Sequence, residues 1–336
     1  MNDLLQHIAD GKGHTKCMLL SYLFISVLCL YTSNLYAQVN RHPQLAEYKS
    51  EKLFLFDAND SVQVEIELLK NDQNQPQLYR AYLSTGVCSD GLCKPVNIQI
   101  YWDLLGDFYE YETAKDAGLT KFDHMPFTAD DHRRLHTILA DTSSLLRDYY
   151  VEDLIDPQVK LRSKTIDGVT GATNTTFQAT TVPGALYTVY TLWHFVNGTI
   201  RHRLFNNTVA MLSDSLIKQL LGSENGKYQR FMIAHLNEAQ AEKFQQALME
   251  LVEYSKDDYV PHFALDKLPE ATWQDATQYN QVLAFLPKMP FPVQTAILNK
   301  LTNTKMDAKG RSLLENHLVH TNSDVQRKLI KAILTK

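Results

Sequence analysis

Ser61-Val-Gln-Val-Glu-Ile-Glu-Leu68 alternates polar and apolar side chains without a break. A period of two puts Val62, Val64, Ile66 and Leu68 on one face of an extended chain, so the run reads as a half-buried strand. The pattern recurs outward from it. Asn71 to Pro76 reads as a turn, and Leu78-Tyr-Arg-Ala-Tyr-Leu83 and Val96-Asn-Ile-Gln-Ile-Tyr-Trp102 alternate again. Phe108-Tyr-Glu-Tyr111 adds a shorter run. Strand character from about Leu53 to Trp102, broken only by turns, predicts an antiparallel meander.

The whole chain has 336 residues, room for two compact domains. Apolar residues make up 44% and charged residues 21%, which excludes a disordered chain. The net charge of -5 and a pI near 6.2 argue against a nucleic-acid partner, which selects for a basic face.

The N-terminus differs from the rest. Lys12 and Lys16 precede the apolar run Met18 to Leu30, and smaller and polar residues lead to Leu35-Tyr-Ala37. That order is the n-region, h-region and cleavage site of a secretory signal covering residues 1–37, with the mature chain starting at Gln38. The alternative is an uncleaved anchor, for which the run is short. Leu28 before Cys29 does not fit a lipoprotein signal. The expected location is the periplasm, including attachment to the outer face of the inner membrane.

Cys17 and Cys29 belong to the signal region, leaving Cys88 and Cys93 in the mature chain. They bracket Ser89-Asp-Gly-Leu92, and Asp-Gly favours a turn. In an oxidising compartment this spacing predicts a local disulfide; a redox-active dithiol is the alternative.

After the strands, Thr128-Ala-Asp-Asp131 carries a capping-box pattern ahead of Leu135, Ile138 and Leu139, predicting a helix. His124-Met-Pro-Phe127 reads as its packed lead-in. His132 and His136 lie four apart, but without a third ligand they read as an exposed helical face and no metal site is expected. A second helix is predicted around Ala185, Val189, Leu192, Trp193 and Val196, with Pro183 in its first turn and Asn197-Gly198 as its end. Beyond about residue 205 strand patterns vanish. Amphipathic helices are expected over Val209 to Leu221, Ala239 to Tyr254, Val293 to Leu301, Arg311 to His320 and Val325 to Leu334. Phe244, Leu248 and Leu251 are spaced for one helical face. Val293-Gln-Thr-Ala-Ile and Val325-Gln-Arg-Lys-Leu resemble each other, which suggests a HEAT-like array; a compact bundle is the other reading. This region shows no catalytic constellation, so partner docking is its expected role.

Asp167-Gly-Val-Thr-Gly-Ala-Thr173 holds two glycines and two threonines in seven residues shortly before the second helix. On composition it is a turn whose hydroxyls cap backbone amides. A Walker phosphate loop is excluded, because no Gly-Lys-Ser/Thr follows, and so is a Gly-x-Ser-x-Gly nucleophile elbow. Thr173 offers a hydroxyl, Gly171 lets the backbone approach a phosphate, and Ala172 is nearly as small. Successive amides in such a turn cradle phosphate oxygens.

The heptad Asp167-x-x-Thr170-Gly171-Ala172-Thr173 resembles the Asp-x-x-Ser/Thr-Gly-Ala-Ser/Thr signature of the bacterial FMN-binding domain. That family includes flavin-carrying subunits of sodium-pumping NADH:quinone reductase and related complexes. The resemblance covers residues 78 to 200. It implies FMN joined through a phosphoester to Thr173 by a separate flavin transferase. Asp167, Thr170, Gly171 and Ala172 would then shape the site, with Asp167 orienting the loop or holding a divalent metal during transfer. It departs from the family in lacking a clear glycine-bearing strand upstream and in its cysteine turn. The combined expectation is an α+β chain: an antiparallel, strand-rich FMN-binding-like domain over residues 38–204, then an all-α HEAT-like domain over 205–336. Function would be electron relay in the cell envelope with an unknown redox or envelope protein partner. The alternative is a non-redox envelope protein that binds its partner through the C-terminal helices.

Overall fold

The computed structural model describes Leu45 and residues 47–87, 94–114, 118–121, 124–154 and 179–336. Five strands lie in chain order in one antiparallel sheet: β1 (Lys49–Asn59), β2 (Val62–Lys70), β3 (Pro76–Thr85), β4 (Val96–Trp102) and β5 (Phe108–Thr113). Helices follow, so the chain is α+β. The sequence reading did not separate β1 from β2. The break is a tight turn in which the Ser61 N–H donates to Asn59 Oδ1 at 2.9 Å.

Register turns the alternation into a core. Ile66 lies opposite Ala81, Ala81 opposite Ile100, and Ile100 opposite Tyr111. The adjoining row runs Leu68, Tyr79, Trp102 and Phe108, so one face is apolar across four strands. The other face carries Glu67, whose carboxylate takes the Arg80 Nε–H at 2.7 Å. At one end of that face Leu69, Leu78 and Tyr101 are buried with Leu45, and Tyr48 packs against them. The β2–β3 turn shows why Asn and Pro stand where they do. Asn71 Oδ1 accepts from the Gln73 and Gln75 N–H groups at 3.0 and 2.9 Å, and Asn74 takes φ 61°, which Asn tolerates. Pro76 is the first residue of β3 instead of the end of the turn, a position where Pro is tolerated in a sheet.

Three helices cover the apolar face: α1 (Ala129–Ala140), α2 (Leu186–Asn197) and α3 (Thr199–Ala210). Trp102 is fully buried; its Nε1–H donates to the Val196 carbonyl at 3.0 Å and its ring meets Phe195 edge-on at 5.7 Å. Tyr79 and Thr208 share a hydrogen bond of 2.7 Å, and Thr208 donates onward to the Leu104 carbonyl at 2.5 Å. The β4–β5 turn approaches α3 so closely that a Cβ on Gly106 would lie 2.5 Å from the Arg201 carbonyl oxygen. Gly106 also has φ +79°, so any side chain there meets both strain and a clash.

Thr128 caps α1 with a complete capping box: its Oγ1 accepts from the Asp131 N–H at 3.2 Å, and Asp131 Oδ2 accepts from the Thr128 N–H at 2.8 Å. Of the lead-in, Phe127 is buried while Met125 is half exposed. The two histidines correct the expected exposed face. His132 Nδ1 is 2.7 Å from the Tyr111 hydroxyl, and His136 packs edge-on against Phe108 at 5.1 Å. Leu135, Ile138 and Leu139 bury one side of α1, and the two histidines stand at its edge beside β5.

Pro183 also differs from expectation. It precedes α2, at the second position of a turn closed by the Ala185 N–H and Val182 carbonyl at 3.0 Å. Gly184 follows with φ +83°, as a type II turn demands. Proline's locked φ suits that position as well as a first helical turn. Gly198 does end α2, but α3 begins at the next residue.

The chain divides into two compact units, the first ending at Thr208 and the second running from Val209 to Lys336. The second unit contains α4 (Asp214–Leu221), α5 (Gly226–His235), α6 (Glu238–Lys243), α7 (Gln245–Tyr254), α8 (Val260–Lys267), α9 (Ala276–Phe285), α10 (Phe291–Lys300), α11 (Ala308–His320) and α12 (Asp324–Leu334). Two predicted helices are each split. Ala210 closes α3 and Ser213 caps α4, its hydroxyl accepting from the Leu216 N–H at 3.3 Å. Phe244 separates α6 from α7, and the Asn237–Gln240 capping box starts α6. The helices α3, α5, α8 and α9 were not singled out from sequence.

In this unit α4, α7, α9 and α11 begin 31, 31 and 32 residues apart. The helices α5, α8, α10 and α12 pack successively on one another, while α4 meets α7 and α9 meets α11. Side-chain bonds bridge successive turns of this arrangement. Gln326 donates to Gln294 at 3.0 Å across 32 residues, and Thr304 to the Trp273 carbonyl at 2.8 Å across 31. The internal match is one residue out of phase with packing. Val293 and Ile297 are buried, but their structural equivalents are Gln326 and Ile330; Val325 is 58% exposed. No helix among the described residues is long and apolar enough to cross a membrane.

Candidate functional site

The residues singled out from sequence for chemistry, Asp167, Thr170, Gly171, Ala172 and Thr173, lie outside the described residues, as do Cys88 and Cys93 and the signal, 1–37. The structure does describe what flanks the heptad. Upstream of it lie two short 3-10 turns, Leu145–Asp148 and Val151–Leu154, and downstream the turn before α2.

One stripe of α2 holds the approach. Tyr190 Oη donates to the Tyr149 carbonyl at 2.9 Å, and Trp193 Nε1 to the Asp141 carbonyl at 2.9 Å. His194 Nε2 lies 2.9 Å from the Leu146 carbonyl, and Asn197 Nδ2 donates to the Leu139 carbonyl at 3.0 Å. Tyr190 and His194, like Trp193 and Asn197, are four residues apart, so a single helical face satisfies one carbonyl in the last turn of α1 and three of the irregular segment after it. Burial holds the His194 imidazole below its ordinary pKa, partly offset by the Leu146 carbonyl. The Leu154 side chain is buried beside the same helix. The chain upstream of the heptad, from Leu139 to Leu154, therefore rests on α2.

The N-terminus of α2 opens into a small cavity of about 20 Å³. Three chain segments line it: Lys94 before β4, Lys121 and His124 before α1, and Gly184 to Thr188. Lys121 and His124 are brought there by a short antiparallel bridge, Thr120 with Pro126, in which the Lys121 N–H donates to the Met125 carbonyl at 2.6 Å. Lys121 Nζ also donates to Asp131 Oδ2 at 2.8 Å. Burial alone would raise the Asp131 pKa, but Lys121 and the Thr128 N–H and hydroxyl together hold it below the ordinary value. Among the described residues Lys94 has no acidic partner. Ala185, at the N-cap of α2, supplies no side-chain cap.

Sequence reading did not find this cavity. Lys94, Lys121, His124 and Thr188 carry no shared spacing, and only the fold brings them together. Among the described residues no group of three or more His, Cys, Asp or Glu is placed to hold a metal. No family model matches the chain, and no curated protein or solved structure matches it.

Proposed function

We propose that this chain is an exported flavoprotein that carries FMN by a phosphoester on Thr173 and relays electrons in the cell envelope. The heptad Asp167-Gly-Val-Thr-Gly-Ala-Thr173 is the observation that carries the reading. Its donor chemistry fits the group: Thr173 supplies the ester oxygen, Gly171 and Ala172 leave room for the phosphate, and Thr170 and Asp167 shape the turn. Bound FMN supplies one- and two-electron chemistry, while the protein supplies position and electrostatics. A covalent tether suits a compartment where free flavin would be lost. The α2 stripe that holds the chain upstream of the heptad supports the reading, because a cofactor on a loop needs a rigid base. A flavin transferase is the maturation partner. The helical unit serves as a HEAT-like docking surface for a redox or envelope protein, a role supported by its recurring helix starts.

The test is co-expression with a periplasmic flavin transferase. Fluorescence should survive a denaturing gel, and mass spectrometry should place FMN on the peptide containing Thr173. Thr173→Val should abolish the label with little change in fold. Thr170→Val and Asp167→Asn should only slow labelling. A colourless protein, made beside a transferase that labels a known acceptor, would leave the non-redox, partner-binding reading in its place.

A further inference from the structure

We infer that the cavity at the N-terminus of α2 is a binding site for a small phosphate-bearing ligand. Thr188 is the observation that turns a helix end into a site. It is only 6% exposed, it lines the cavity, and its hydroxyl has no hydrogen-bond partner among the described residues. A hydroxyl that faces a pocket without a protein partner is free to bond a ligand there. The Leu186 and Thr188 N–H groups likewise have no acceptor among the described residues. They belong to the first turn of a helix, whose dipole favours an anion.

The side chains opposite match that polarity. Lys94 brings an ammonium with no acidic partner among the described residues, and Lys121 brings a second, shared with Asp131. His124 adds an imidazole from the same bridge. Gly184, at φ +83°, brings backbone to the wall without a side chain in the way. Two backbone amides, a hydroxyl and two ammonium groups converge from three segments. A flat carboxylate has two oxygens to offer them, whereas a tetrahedral phosphate dianion has three and can meet donors from several sides. The site is independent of the flavin reading, because none of these groups belongs to the heptad.

Inorganic phosphate is the probe, titrated calorimetrically into the full chain made without a flavin transferase. Phosphate should bind in preference to acetate at equal ionic strength. Lys94→Ala and Thr188→Val should each weaken binding about tenfold, the loss of one charge-assisted or buried hydrogen bond. Both changes should leave the unfolding midpoint without phosphate nearly unmoved, since Lys94 is exposed and Val replaces Thr isosterically. Thr173→Val should bind phosphate as the parent does, so loss of phosphate binding in that variant would place the anion at the heptad and overturn this site, whatever the outcome of the flavin labelling. No measurable phosphate binding, equal binding of acetate, or indifference to both Lys94→Ala and Thr188→Val would overturn it.

Discussion

The sheet unit and the helical unit are stabilised across very different distances along the chain. In the sheet unit, Tyr79 meets Thr208 across 129 residues, Leu104 meets Thr208 across 104, and Trp102 meets Val196 across 94. In the helical unit the half-buried polar bonds are nearer in sequence: Asn280 to Asp307 across 27 residues, Gln245 to Thr272 across 27, Gln326 to Gln294 across 32. A core closed by its last helix must form as one piece. A row of helices that contact near neighbours can lose stability locally, as repeat proteins do.

Truncation should show the largest difference. A chain ending at Arg203 loses Leu204, which is fully buried, and Thr208, which bonds Tyr79 and Leu104. It should fail to unfold cooperatively in urea, whereas a chain ending at Leu212 should retain a sharp transition by circular dichroism. If both melt alike, α3 is not part of the sheet unit's core.

Two buried tryptophans sharpen the contrast. Trp102→Ala and Trp273→Ala should each cost about 3–5 kcal/mol, because both side chains are almost wholly buried. Phenylalanine should separate them. Trp102→Phe strands the Val196 carbonyl and should add about 1–3 kcal/mol of loss beyond packing, while Trp273 Nε1 has no hydrogen-bond partner among the described residues. Equal losses for the two Phe variants, measured by urea unfolding, would remove this distinction.

Capping should act more gently and locally. Ser213→Ala removes the acceptor for the Leu216 N–H and should cost about 1 kcal/mol. Hydrogen exchange should rise in α4 and leave the strands unchanged. Spread of the effect into the sheet would mean the helical unit is not locally stable.

The smallest difference should appear with pH. Burial is the main cause holding His132 and His194, in the sheet unit, and His317, in the helical unit, below their ordinary pKa. The folded state therefore prefers each imidazole neutral, and the unfolded chain takes up the proton near pH 6.5. Stability from these groups is complete above about pH 6.5 and declines as pH falls towards their folded values. The sheet unit should lose more between pH 7 and 5, and His317→Gln should remove most of the helical unit's share. Midpoints that do not respond to pH in that window would show that none of the three stays neutral on folding.

Much of the sheet was legible because its signal is local. Val64, Ile66 and Leu68 point one way through backbone geometry alone, and the Thr128–Asp131 cap is written within four residues. The helix breaks at Ser213 and Phe244 were missed because apolar spacing runs across both, and only the backbone bonds mark the stops. His132 and His136 were read as exposed because a helical wheel does not show what packs beside it.

The sequence by itself determined the antiparallel meander, the cap of α1, the helical character after residue 205 and the heptad that suggests a flavin. Each is a statement about residues within a few positions of one another, where φ, ψ and side-chain period decide the outcome. Tertiary structure alone decided that Gly106 must be glycine, that Gln326 takes the place of Val293 in the packing, and that Lys94, Lys121 and Thr188 line one cavity. Those results depend on which distant segments meet, and free energy of burial and hydrogen bonding between distant residues leaves no period in the sequence to read.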